Sequence, residues 1–261
     1  MTAYEKLKTA RLTGRPTGKS YVDELFDDKI ILCGYRRFAE DSAILGGIGT
    51  LDGMPVTFIA IDKGQNTAER IKNNFGCPKP EGYRKALRLM KQAEKFSRPV
   101  ICFVDTLGAY CGAEGEERGQ GEAIAENLME MMGLHTPVIS IVIGEGGSGG
   151  ALGLCVADRV YMLENAVYSV ISPEGCASIL WKDSSRVQDA ADCLHITAQD
   201  MVDFKVAERI IPEDFDHFPK MCKALKKQLH DDFSDIVSLG TSKMLDRRYE
   251  RFRRIGIYEE N

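Results

Sequence analysis

Between residues 144 and 150 the chain reads Gly-Glu-Gly-Gly-Ser-Gly-Gly, five glycines in seven positions. The run follows an apolar stretch, Pro137 to Ile143, and leads into Ala151-Leu152-Gly153-Leu154. That order predicts a strand, a glycine loop and the start of a helix. Glycines let a backbone come close to a ligand. The first turn of a helix leaves N–H groups without an intrahelical partner, and such donors suit an anion.

Three chemistries share these residues. Gly144-x-Gly146-x-x-Gly149 matches the dinucleotide fingerprint, with Glu164 as an acidic residue at the end of the following strand. Gly146-Gly147-Ser148-Gly149-Gly150 matches the nucleophile elbow, which needs a histidine base. The chain has four histidines: His135 precedes Ser148, His195 and His217 follow it, and His230 sits in a charged helix. None stands with an acid in a triad pattern. The third chemistry is an oxyanion hole made of backbone N–H groups about 2.7–3.1 Å from the anion, which needs no side chain. A glycine turn that merely packs tightly is the plain alternative.

The elements around the run give it a setting. Ala43–Leu51 and Val56–Ile61 read as strands joined by Asp52-Gly53, a hairpin signal. From Pro80 to Phe96, apolar Tyr83, Leu87, Met90 and Ala93 mark one helix face, with proline at the expected first position. A strand, Pro99–Val104, then delivers a second glycine loop, Asp105 to Gly112, followed by a helix from about Glu122 to Met132. Strand, loop and helix thus occur twice in succession. Open α/β layers put ligands at such strand ends. Further strands are expected at Arg159–Leu163, Val167–Ile171 and Val206–Ile211, and Ser172-Pro173-Glu174-Gly175 starts a helix. His217 to Arg254 is charged and helical in pattern, suited to docking on a partner or covering the core. A short helix is expected near Tyr21–Phe26 in an otherwise mixed-charge start. The simplest division is one domain: residues 1–40 as an N-terminal extension, 41–215 as the core and 216–261 as a C-terminal helical segment.

Bulk properties narrow the classes. With 261 residues, 44% of them hydrophobic, the chain can bury a full core. Its net charge of −5 argues against a nucleic-acid or membrane-surface role. The start has no signal-peptide core and no stretch long enough to span a bilayer, which makes a cytoplasmic location the expectation. Eight cysteines are scattered without a Cys-x-x-Cys pair, a poor spacing for zinc, so no metal is expected. Cys102 and Cys155 lie in apolar runs and read as buried thiols.

Longer stretches carry a resemblance. Asn74-Phe75-Gly76 with Pro80-Glu81-Gly82-Tyr83-Arg84-Lys85-Ala86-Leu87, Asp105-Thr106-x-Gly108-Ala109-Tyr110, Glu116-Glu117-Arg118-Gly119-Gln120, Gly144–Leu152, and Ser172-Pro173-Glu174-Gly175 through Trp181-Lys182 resemble the alpha-subunit family of the bacterial acetyl-coenzyme A carboxylase carboxyltransferase. The similarity runs from about Asp41 to Trp181. It implies an α/β crotonase-like (ClpP/crotonase) spiral of β-β-α units with helical N- and C-terminal extensions. It also implies transfer of a carboxyl group from biotin, held on the biotin carboxyl carrier protein, to acetyl-coenzyme A, giving malonyl-coenzyme A, the committed step of fatty acid synthesis. The implied partners are a carboxyltransferase beta subunit in an α2β2 heterotetramer, and the carrier protein with its biotin carboxylase.

Carried onto this sequence, the family's oxyanion hole falls on Gly149 and Gly150. Gly146 and Gly147 shape the approach, and Gly108, Ala109 and Tyr110 wall the biotin side. In this mechanism the discharged cofactor serves as its own base, which accounts for the missing side-chain base. Lys63-Gly64 and Arg84-Lys85 read as solvated faces, with the carrier or coenzyme A phosphates as the functional alternative. Leu107 and Cys111 stand where many members have proline, and Tyr35 where the family has aspartate. Leu107 leaves the loop backbone less restricted, and Cys111 is expected to pack. A carboxyltransferase or decarboxylase for another acyl thioester, or a non-catalytic paralogue, remains open at this point.

Overall fold

The computed structural model describes residues 1–256; the last five residues of the expected C-terminal segment lie outside them. The chain opens with α1 (Ala3–Ala10), α2 (Gly18–Leu25) and β1 (Asp27–Ile31), then forms the hairpin of β2 (Ile44–Leu51) and β3 (Met54–Ile61). Asp52 and Gly53 at its tip have φ of 47° and 81°, the positive values that a tight two-residue hairpin demands. Next come α3 (Thr67–Lys72), α4 (Pro80–Lys95), β4 (Val100–Thr106), α5 (Ala113–Glu117) and α6 (Gln120–Met132). Pro80 is the first helical residue of α4, as its fixed φ favours.

The glycine run departs from its expected form. β5 (Val138–Gly147) continues as strand through Gly147, and α7 (Ser148–Leu152) begins at Ser148, not at Ala151. There is no loop between them. β6 (Arg159–Leu163), β7 (Val167–Ser169), α8 (Pro173–Trp181), α9 (Val187–Cys193), α10 (Ala198–Asp203) and β8 (Arg209–Ile211) follow. β7 and β8 are shorter than the expected Val167–Ile171 and Val206–Ile211. The Ser172 side chain caps α8 by accepting from Gly175 N–H at 3.1 Å. Two long helices, α11 (Phe218–Ser238) and α12 (Thr241–Arg253), close the described chain.

The eight strands form one mixed sheet in the order β1-β2-β3-β4-β5-β6-β8, with β7 pairing beside the far end of β5. β1, β2 and β3 make an antiparallel meander, and every later pairing is parallel. β4 is buried along its whole length, which follows from helices covering both faces of a parallel layer. On β2, Gly46 faces Leu89 of α4, whereas Gly47 and Gly49 face Phe58 and Phe26 on the other side. The fold is the crotonase-like α/β fold, with a helical C-terminal region.

Residues 1–40, expected as an extension, are part of this packing. Tyr21, Val22 and Leu25 are fully buried in the main core, where Tyr21 stacks on Phe103 at 5.5 Å. Leu7 and Ala10 of α1 pack with Val167, Ala191 and Ile196. At the other end α11 lays Leu225, Leu229, Phe233 and Ile236 on the core. The fully buried Arg248 of α12 donates to Asp158 and to the carbonyls of Met131, Leu134 and Thr136. No helix among the described residues is long and apolar enough to cross a membrane.

Candidate functional site

The site lies where β4 and β5 end side by side and their following backbones touch. Each glycine of the run has its own reason to lack a side chain. A Cβ on Gly144 would fall 2.6 Å from Asp105 Cγ, one on Gly146 would fall 2.6 Å from Tyr168 Cδ2, and one on Gly147 would collide with Leu107 O. A Cβ on Gly150 would lie 2.6 Å from the Gly108 carbonyl carbon and closer still to Ala109 N. These four are glycine because protein atoms fill the space. At Gly149 the nearest atom is Ile124 Cγ2, 3.8 Å away, which is an ordinary contact. Only Gly149 faces open room.

The short helix α7 is held by its carbonyl end. Tyr83 Oη donates to Gly150 O at 2.9 Å, Asn127 Nδ2 to Gly153 O at 3.1 Å, and Ser140 Oγ to Leu154 O at 2.6 Å. Burial keeps the Tyr83 hydroxyl well above its ordinary pKa, so it stays a neutral donor. The other end of α7 is left free. The first turn of α7, which holds Gly149 and Gly150, has no side-chain cap, and the first N–H groups of a helix have no intrahelical partner. Ala109 N–H beside Gly150 has no acceptor among the described residues. Uncapped N–H groups at a first helical turn are donors of the kind an anion accepts.

Two cavities flank the run. One of about 560 Å³ is lined by Gly146, Gly147, Leu107, Lys63 and Glu145 among others. The second, about 310 Å³ and mostly apolar, is lined by Ser148, Gly149, Leu152, Tyr168 and Val170. The expected approach glycines Gly146 and Gly147 are therefore strand residues, paired with Tyr168 and Ser169 of β7, and they open on a different cavity from Gly149. Gly108 and Ala109 abut Gly150 directly. Tyr110 instead folds against Gly112 and Gly115, with Lys79 Nζ 4.9 Å from its ring centre, and lines neither cavity.

Neither rival reading of the run finds support. At Gly146, the glycine a pyrophosphate would have to approach, the Tyr168 ring fills the space. Ser148 is exposed at φ 51°, the strained turn of an elbow, but each histidine is paired with an acid elsewhere: His135 with Glu94, His195 with Asp200, His217 with Asp214 and His230 with Asp231. No group of three or more metal-ligating side chains occurs among the described residues.

Several charged residues sit differently from their sequence reading. Lys85 is buried, bonded to Glu40 and donating to Ile44 O at 2.7 Å, so it presents no solvated face. Lys63 is largely buried, 2.6 Å from Asp105 and 3.1 Å from Glu145. Burial alone would lower its pKa, but the two carboxylates more than offset this and raise it. Arg118 pairs with the buried Glu81 at 2.7 Å, tying the end of α5 to α4. Cys111 is exposed, not packed, while Cys102 and Cys155 are buried as expected. The Lys63–Asp105–Glu145 cluster was not legible as a site. Its one signal is a lone acid, Glu145, set between glycines at the end of an apolar strand.

A family described as acetyl co-enzyme A carboxylase carboxyltransferase-like matches residues 1–256. The acetyl-coenzyme A carboxylase carboxyl transferase subunit alpha of Clostridium acetobutylicum is 54% identical over 265 residues, spanning 100% of this chain and 97% of its own length. In Clostridium tetani a chain named for subunits beta/alpha is 52% identical over 99% of this chain but only 46% of its own length. Among solved structures, transcarboxylase 12S superposes with a TM-score of 0.69 at 17% identity, covering 87% of this chain and 44% of that one. A Pseudomonas malonate decarboxylase hetero-tetramer in complex with coenzyme A gives 0.65 at 18% identity, over 84% and 91% respectively.

Proposed function

The chain belongs to the acetyl-coenzyme A carboxylase carboxyltransferase family, and from that premise we propose that it acts as the alpha-type subunit, moving a carboxyl group onto acetyl-coenzyme A to give malonyl-coenzyme A for fatty acid synthesis. The observation that carries the site is the uncapped first turn of α7, which holds the N–H groups of Gly149 and Gly150.

Biotin on its carrier protein supplies the carboxyl group when bound. The residues present fit such a group: backbone donors for a carbonyl-type oxygen, open space over Gly149, and an apolar cavity beside it. Gly149 and Gly150 N–H donate to the oxygen on which charge develops. Because α7 is pinned by Tyr83, Asn127 and Ser140, these donors need no reorganisation as charge appears. Ala109 N–H faces the same junction, and Gly108 lets the two backbones approach to contact. Removing one such donor typically costs about 10²–10³ in rate.

The site is completed by a beta-type partner, in an α2β2 assembly in the cytoplasm, with the coenzyme A thioester on the partner's side. The fused Clostridium tetani relative, named for both subunits in one chain, supports that pairing. The test is malonyl-coenzyme A-dependent carboxylation of biotin by the chain co-purified with its beta partner, with the mass of the complex measured alongside. Activity in the pair and none in the single chain is expected. An assembled but inactive pair would sink the enzyme reading.

A further inference from the structure

β4 and β5 run in register from Val100 opposite Val138 to Val104 opposite Val142, and then the ladder slips, so that Thr106 faces Gly146. Two steps along β4 now match four along β5. A strand that bulges in this way loses ladder bonds, and its extra residues need other partners. Here the partner is a side chain. Asp105 Oδ1 accepts Glu145 N–H at 2.8 Å, and the same carboxylate sits where Gly144 has no Cβ.

The cluster extends to other segments. Lys63, two residues beyond β3, bridges Asp105 Oδ1 at 2.6 Å and Glu145 Oε1 at 3.1 Å. Glu145 Oε2 is taken by Arg11 Nε at 2.8 Å, and Arg11 reaches on to Glu174 at 2.6 Å. Among the described residues Lys63 is the one cation paired with Asp105. Without it, two neighbouring carboxylates at the ends of adjacent strands would share a mostly buried space with Arg11 as their sole balance.

The bulge decides where the backbone beyond it goes. Gly147 and Gly150 touch Leu107, Gly108 and Ala109, so the offset fixed at Asp105 and Glu145 is passed directly to the N–H groups of the first turn of α7. We infer that Lys63, Asp105 and Glu145 form a positioning cluster that sets the offset between the two backbone segments of the site, with Lys63 as the residue that holds both strand ends. The inference rests on the reading of Gly149 and Gly150 as the anion donors. Lys63 touches no reacting atom and acts only through the strands.

Lys63→Met and Lys63→Arg, each in the full chain with its beta partner, test this. The readouts are kcat, KM for malonyl-coenzyme A, melting temperature, and amide exchange over residues 144–152. For Lys63→Met a fall in kcat of about a hundredfold is expected, the scale of a misplacement of about 1 Å. KM should change less than about threefold, and exchange over 144–152 should rise. Lys63→Arg should recover most of kcat, since Lys63 borders the 560 Å³ cavity and a guanidinium has room. If Lys63→Met does not assemble, Asp105→Asn decides: it keeps an acceptor for Glu145 N–H but not the charge, and about a tenfold loss of kcat is expected. Wild-type turnover with unchanged exchange in whichever variant assembles overturns the inference. So does a Lys63→Arg variant as impaired as Lys63→Met with a matching drop in melting temperature, which is the mark of a purely structural residue. Exchange reports the offset whether or not turnover is seen. Raised exchange in Lys63→Met beside a fully active Gly149→Ala, which keeps its N–H but fills the space over it, would retain the positioning role and reject the placement of substrate over Gly149.

Discussion

Adjacent glycines at 149 and 150 should respond oppositely to the same added methyl group. At Gly150 the new Cβ would stand 2.6 Å from the Gly108 carbonyl carbon and closer still to Ala109 N, where ordinary contact begins at 3.4 Å, so the backbone would have to give way by at least about 0.8 Å. Backbone cannot swing aside as a flexible side chain can. Overpacking of this kind costs about 1–3 kcal/mol. The displaced segment also carries Ala109 N–H, and a shift near 1 Å is worth about a hundredfold in rate, or about 2.7 kcal/mol of barrier. Gly150→Ala should therefore lose both stability and turnover. At Gly149 the nearest atom is 3.8 Å away, so alanine fits without a shift. Replacing glycine by alanine where the backbone allows it stabilises by about 0.4–1 kcal/mol. Gly149→Ala should thus fold at least as well as the parent yet lose turnover about tenfold, because the methyl group stands in the space over the free donor. Paired measurements of melting temperature and of biotin carboxylation with the beta partner separate the two. Full activity in Gly149→Ala would show that substrate does not use that space. A stable Gly150→Ala would refute the close approach of the two segments. Proline at 150 is a poorer probe, since it would delete the donor and strike Ala109 together.

Two further predictions concern buried charge. The Glu213 carboxyl is subject to burial, which raises its pKa, but Arg15 and Asn165 prevail and hold it below its ordinary 4.5. The unfolded chain therefore takes up this proton at higher pH than the folded one, so the contribution to stability is present above about pH 4.5 and lost as pH falls through the lower folded value. Arg15→Met should cost about 3 kcal/mol at pH 7, as for a broken buried pair. It should cost much less at pH 3, and an equal cost at both, measured by urea unfolding, would contradict the pairing. Arg248, fully buried, satisfies Asp158 and three carbonyls, so Arg248→Met should lower unfolding free energy by about 3–5 kcal/mol; a loss under about 1 kcal/mol would contradict that role.

The parts of the fold legible in the sequence are those with local chemistry. Asp52-Gly53 specifies its turn by conformation, Pro80 specifies a helix start by its fixed φ, and Ser172 specifies one by capping. β1 had no such signal, because all five of its residues are exposed and show no alternation. The start of the chain looked like an extension because polar residues mask Leu7, Tyr21, Val22 and Leu25. Their burial depends on strands far along the sequence. The cluster of Arg11, Lys63, Asp105, Glu145 and Glu174 joins five separate segments, and nothing in a single sequence places them together.

The glycine run shows why composition alone left three chemistries open. Glycine is permissive, so a pattern of glycines states only that side chains are absent, not what replaces them. In the structure the replacements differ at each position: an aspartate carboxylate at 144, a tyrosine ring at 146, backbone at 147 and 150, and open space at 149. The strand persists to Gly147 despite the poor strand preference of glycine, because Asp105 and β7 supply bonds that the slipped ladder omits. The same contacts that keep four of the positions small also hold the next peptide groups still. Donors are useful to a developing charge only when they are already oriented, and here their orientation comes from the packing that the glycines permit. A fingerprint read as flexibility is thus, in this fold, a requirement for rigidity, with freedom retained at one residue.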